Sequence, residues 1–138
     1  MSIEENKKSC YRCFEEVWNQ GDLSVIPEVI SPDYNDGVRK GITDFENMVK
    51  TMRDVMPDMK YTIDEVVGEG DTLAVRLGFS GTFTGKMGDI EPTGKKGSIN
   101  FVLFNRYEDG KCVESSAFPT ITDSLVYYQQ WGIPLPKQ

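Results

Sequence analysis

The sequence predicts an α+β fold in which N-terminal helices pack on a strongly curved antiparallel or mixed β-sheet, forming a cone with an internal pocket. Three observations carry that expectation. Apolar residues recur at helical spacing up to Met56, and from Met59 the period switches to alternation. Turn signals punctuate the alternating half at intervals that suit hairpins. The 138 residues suffice for one domain with a sizeable core, and no repeat, low-complexity run or linker divides them. A single domain over 1–138 is expected.

Ser2-Ile3-Glu4-Glu5 reads as a capping box that starts the first helix, and Cys10, Cys13, Phe14, Val17 and Trp18 continue it at helical spacing. Asn19-Gln20-Gly21-Asp22 ends that helix, and Asp22 can cap a short second one through Ile30, where Pro27 fits only the first turns. The stretch from Ser31 to Gly37 is rich in turn residues around a short strand. Thr43-x-x-Glu46 forms a second capping box ahead of the stripe Phe45, Met48, Val49, Met52, Val55 and Met56, which Pro57 stops. Its three methionines make either an adaptable core surface or a ligand-facing wall, and we expect them to pack against the concave sheet.

Met59, Tyr61 and Ile63 alternate, Gly68-Glu69-Gly70-Asp71 supplies a hairpin turn, and Leu73, Val75, Leu77 and Phe79 alternate again. A loop with Gly85, Gly88, Pro92 and Gly94 leads to a strand from Ser98 to Tyr107. Glu108-Asp109-Gly110-Lys111 turns into the last strand, Cys112 to Phe118. Thr122 or Asp123 can cap a closing helix through Trp131, stopped by Gly132 and Pro134. Helices covering one face of such a sheet leave a cone open at one end, a common way for a small fold to make a ligand cavity.

Composition narrows the chemistry. A net charge of −7 with no basic run repels phosphate backbones, so no nucleic-acid partner is expected. The longest apolar runs are too short to span a bilayer, and the polar start MSIEENKKS lacks a signal-peptide core, so no membrane partner and a cytoplasmic setting are expected. The chain has no histidine, which excludes Ser-His-Asp and Cys-His nucleophile systems and histidine zinc sites. Acid–base work falls to carboxylates, tyrosines, lysines or water. Three cysteines point to free thiols in a reducing compartment. Cys10 and Cys13 invite a redox or metal reading, but their place inside a helix and the lack of a fourth ligand favour packing, and no metal or cofactor is expected.

Several segments then resemble a known family, the SnoaL-like polyketide cyclases of the nuclear-transport-factor-2-like superfamily. Val17-Trp18-Asn19-Gln20-Gly21-Asp22-Leu23 is similar to the end of that family's first helix, and Met56-Pro57-Asp58-Met59 to its P-D before the first long strand. Gly68-Glu69-Gly70-Asp71 with Leu73-Ala74-Val75-Arg76, Gly81-Thr82-Phe83-Thr84-Gly85, Pro92-Thr93-Gly94-Lys95 and Asp109-Gly110-Lys111-Cys112-Val113-Glu114 follow in the family's order. Asp123 and Gln129-Gln130-Trp131-Gly132-Ile133 resemble its closing helix. Three family histidines are replaced: Phe83 stands in G-T-H-x-G, Glu114-Ser115-Ser116 stands for E-H-W, and Tyr34-Asn35-Asp36 occupies the early strand. The interval from Glu114 to Asp123 is about three residues longer than the family's.

The resemblance implies a cofactor-free intramolecular aldol closure with an Asp as acid/base, and Asp123 stands at that position. A residue there is also a helix N-cap, so both roles remain open. Asp36 and Asn35 stand where superfamily members put polar pocket residues, or they form an ordinary turn. Trp18, Tyr34, Met52, Met56, Phe83, Phe101 and Phe118 are candidate pocket walls for a small hydrophobic, oxygenated molecule. Thr82, Asn100 and Ser116 could hydrogen-bond it, and Arg76 is expected on the solvent face. The alternative to an enzyme is a non-catalytic binding protein of the same fold that lacks the histidines. Phe101, Leu103 and Val113 alternate on the final strands, superfamily members commonly pair through the sheet, and a homodimer is expected.

Overall fold

The computed structural model describes residues 2–119 and 127–134. Helix α1 (Ile3–Arg12) starts where Ser2 Oγ accepts the backbone N–H of Glu5 at 3.2 Å, half of the capping box read from the sequence. From Cys13 to Asn19 the helix widens into a π-helix, whose turn brings Cys13, Phe14, Val17 and Trp18 to the buried side. Arg53 closes its end, donating to the carbonyls of Trp18 and Asn19 at 2.6 and 3.0 Å, a cation where a helix leaves acceptors free. Asp22 Oδ1 accepts the Ser24 N–H at 3.1 Å and caps a 3₁₀ turn, Leu23–Val25, that runs into α2 (Ile26–Val29).

Strand β1 (Ile30–Asn35) leads through a turn into α3 (Gly41–Val55). This helix begins two residues before the Thr43 cap that the sequence suggests. No side chain caps its start; instead Asp44 Oδ2 reaches back to the Lys40 N–H at 3.0 Å, and Gly41 turns the chain with φ 78°. Its apolar stripe is as expected, with Phe45, Val49 and Val55 buried and Met56 following the last turn.

The sheet comprises β1, β2 (Lys60–Glu69), β3 (Thr72–Thr82), β4 (Lys96–Glu108) and β5 (Lys111–Phe118), in the order β1-β5-β4-β3-β2. β1 runs parallel to β5 and every other pair is antiparallel, so the sheet is mixed. Register shifts at Ile63/Glu65 and Arg106/Tyr107 bend it, as bulges do. Asp109 and Gly110 both take positive φ (52° and 75°), the backbone a two-residue β4–β5 turn demands.

Leu73, Val75, Leu77 and Phe79 of β3 are buried under the helices, while Arg76 between them is exposed and lies 3.8 Å from Glu65. Each buried aliphatic here contributes about 1.5–3 kcal/mol. The 3₁₀ turn Gln129–Trp131 packs on the far end of the sheet. Trp131 is buried, its Nε1 donates to Gly81 O at 2.8 Å, and Gly132 ends the turn at φ 74°. The helix start at Thr122 or Asp123 lies outside the described residues.

Candidate functional site

Between α3, the π-helix and the concave sheet lie two cavities, of about 230 and about 350 Å³. Met52, Tyr61, Phe101 and Ala117 line both, so one wall serves two chambers. The inner chamber has Cys13, Phe14 and Trp18 from the π-helix and Phe45 and Met48 from α3, with Leu103, Asn105, Tyr107, Cys112 and Ser115 from the sheet. Tyr34, Asp36 and Arg39 form one end of it. The outer chamber is more uniformly apolar, with Met56, Phe79, Met87 and Ile99 facing Tyr128, Trp131 and Ile133.

Of the residues singled out by sequence, Trp18, Tyr34, Asp36, Met52 and Phe101 line the inner chamber, and Met56 lines the outer one. The other two, Phe83 and Phe118, line neither chamber. Phe83 is fully buried but lines neither chamber, because Phe83 N and O pair with Lys95 O and Gly94 N and turn that segment into the core beyond β3. Phe118 is 55% exposed and packs edge-to-face with Phe104 on the opposite face, ring centroids 5.9 Å apart, because it sits opposite Val102 on the outward register. That register also reverses the reading of the outer face: Phe101 and Leu103 point into the chamber, Val113 is buried, and Phe104, Phe118 and Val67 are exposed.

Thr82 is committed to Asp58, which accepts its N–H at 2.7 Å and its hydroxyl at 2.6 Å. Asn100 and Ser116 are exposed on the outward register. Asp123 lies outside the described residues.

The polar end is tightly organised. Tyr34 Oη donates to Asp36 Oδ2 at 3.1 Å, and Asp36 Oδ1 accepts the N–H groups of Val38 and Arg39 at 2.9 and 2.7 Å. Burial and the Asp36 charge raise the Tyr34 phenol far above its ordinary range, so it remains a donor. Burial raises Tyr61 too, against a small opposing effect of the Arg39 charge. Opposite, Ser115 Oγ donates to Asn105 Oδ1 at 2.7 Å. The three thiols are free and buried: burial pushes Cys10 up to about 11 and Cys112 up to about 12, and Cys13 is raised as well. They are packing groups, not nucleophiles. Among the described residues no cluster of metal-ligating side chains is placed to hold an ion, and no helix is long and apolar enough to cross a membrane.

Sequence reasoning missed Arg39, Tyr61, Asn105 and Ser115 as wall residues. Alternation did place Tyr61 with Met59 and Ile63, but nothing local distinguished a cavity wall from core. For Arg39 the sequence carries no signal, since the turn after β1 delivers it.

Solved structures share this architecture. The chain is similar to TsrD from Streptomyces laurentii (22% identity, covering 96% of this chain and 98% of that one, TM-score 0.81). A proposed SnoaL-like polyketide cyclase from Jannaschia sp. CCS1 matches over 98% of both chains at 22% identity and TM-score 0.81. AclR, a proposed hydroxylase from Streptomyces galilaeus, is 26% identical, covering 99% of this chain and 87% of that one, with TM-score 0.76. No curated protein matches the chain. The family model for SnoaL-like polyketide cyclase matches residues 8–130. That match runs from within α1 through every strand of the sheet, and the chain belongs to the SnoaL-like polyketide cyclase family.

Proposed function

We propose that the protein is a cofactor-independent cyclase or isomerase of a small hydrophobic, oxygenated substrate, with Asp123 as its acid/base. The observation that carries this reading is the pair of largely apolar chambers that share Met52, Tyr61 and Phe101, with polar groups gathered at one end of the inner one. Family membership supports the reaction class. In the aldol closure the Asp123 carboxylate takes a proton from a carbon next to a carbonyl. The enolate carbon attacks a second carbonyl of the same molecule, a C–C bond forms, and the new alkoxide recovers the proton from Asp123. The apolar walls exclude water from the enolate, and chamber hydroxyls can donate to its oxygen.

Ring closure leaves the mass unchanged, so wild type incubated with aryl polycarbonyl esters should yield products of the same mass and different retention. Asp123→Asn should lower kcat by about 10²–10⁴-fold with little change in folding stability, since Asn caps about as well as Asp. Full turnover in Asp123→Asn overturns the acid/base role. Binding without turnover in wild type favours the non-catalytic alternative, which the missing histidines support.

Two further expectations belong to this reading. Free thiols suit a cytoplasmic setting. Val67, Phe104 and Phe118, 57%, 46% and 55% exposed on the sheet face that no helix among the described residues covers, suit a homodimer.

A further inference from the structure

The inner chamber carries two charged walls, Asp36 and Arg39, and they are not equivalent. The Asp36 carboxylate is fully engaged: Tyr34 donates to one oxygen, and two backbone N–H groups donate to the other. The half-exposed Arg39 guanidinium forms an ion pair with Asp36 Oδ2 at 3.7 Å, beyond hydrogen-bond reach, and makes no side-chain hydrogen bond among the described residues. Its planar set of five donors therefore stands at the polar end of the chamber, in a chain with seven more acidic than basic residues. A guanidinium in that position matches a flat, delocalised oxyanion better than a hydroxyl or a cation.

We propose that Arg39 is the specificity-determining residue of this chamber, receiving the planar oxyanion of the ligand, either a carboxylate or the enolate left when an enolised β-dicarbonyl gives up its proton. This rests on the reading of the chambers as a ligand site and adds which end of the ligand enters first. The oxyanion lies against Arg39, while the apolar remainder extends past Met52 and Phe101 toward the outer chamber. Asp36 takes the complementary part: by engaging Tyr34 and the two N–H groups it fixes the turn that presents Arg39. As a carboxylate beside the oxyanion it also disfavours ligands of higher negative charge.

Calorimetric titration with three probes tests this: 2-naphthoate, 1-(2-naphthyl)butane-1,3-dione and methyl 2-naphthoate. Wild type should bind at least one of the first two about tenfold or more tightly than the ester, the value of one charge-assisted contact. Naphthoate ahead of the diketone identifies a carboxylate ligand, and the reverse order identifies an enolised dicarbonyl. Arg39→Gln should bring all three to the ester's affinity, and Arg39→Lys should keep part of the preference, with unchanged urea midpoints showing that both variants fold. Equal affinity for the three probes in wild type, or a preference that survives Arg39→Gln, overturns the Arg39 role while leaving the ligand site standing. Failure of every probe to bind wild type overturns both.

Discussion

The side-chain amide of Asn19 closes a ring with the backbone of Tyr61, donating from Nδ2 to its carbonyl at 2.9 Å and accepting its N–H at 2.8 Å. Through this pair the end of the π-helix mimics a strand neighbour for β2 and sets the position of the tyrosine shared by both chambers. Asn19→Ala removes both bonds and leaves the Tyr61 groups unpaired at a half-buried site. We expect a loss of about 1–3 kcal/mol in urea unfolding. Probe affinity should fall with it, since Tyr61 loses its anchor. Asn19→Asp should do little better, because a carboxylate cannot donate to the Tyr61 carbonyl.

The thiols give a pH dependence. Burial raises Cys10 from 9.0 to about 11 and Cys112 from 9.0 to about 12. The folded state thus keeps protons that the unfolded chain releases above about pH 9. The stability tied to these protons is fully present below that pH and is lost as the pH rises through the folded values. Urea midpoints should decline between pH 9 and 11, and Cys10→Ala should flatten the decline. A thiol-reactive dye at pH 8 should label native protein only as fast as it opens.

Gly97 sits where a side chain cannot go. A Cβ there would meet Trp131 Cε2 at 2.7 Å and Gln130 Cβ at 3.0 Å. Gly97→Ala should therefore push the Gln129–Trp131 turn off the sheet, straining the Trp131–Gly81 hydrogen bond and opening the outer chamber. The expected signature is red-shifted tryptophan fluorescence with a stability loss of about 1–3 kcal/mol. Gly70→Ala, where nothing lies within 4 Å but φ is 61°, should lower stability without moving that fluorescence.

For the outer face, Phe104→Glu places a charge beside Phe118 and across from Ala74. Light scattering should report twice 15.6 kDa for wild type and 15.6 kDa for the variant. A wild-type monomer at micromolar concentration refutes the pairing.

By itself the sequence determined the elements and their order. The period change between Met56 and Met59 marks the passage from α3 to β2, and Asp109-Gly110 makes its turn because both residues tolerate positive φ. These are local effects of steric and capping preferences within a few residues. Tertiary structure decided which side chains share a chamber. Phe83, Phe101 and Phe118 look alike in the sequence. Pairing with Lys95 and Gly94 turns Phe83 into the core, and the β3–β4 and β4–β5 registers send Phe101 into the cavity and Phe118 out of it. Arg39 owes its place to a turn held by Asp36 and to a sheet whose strands meet only after long-range pairing. A one-residue shift in such a ladder exchanges the two faces of a strand, so the site depends on a register that no short segment encodes.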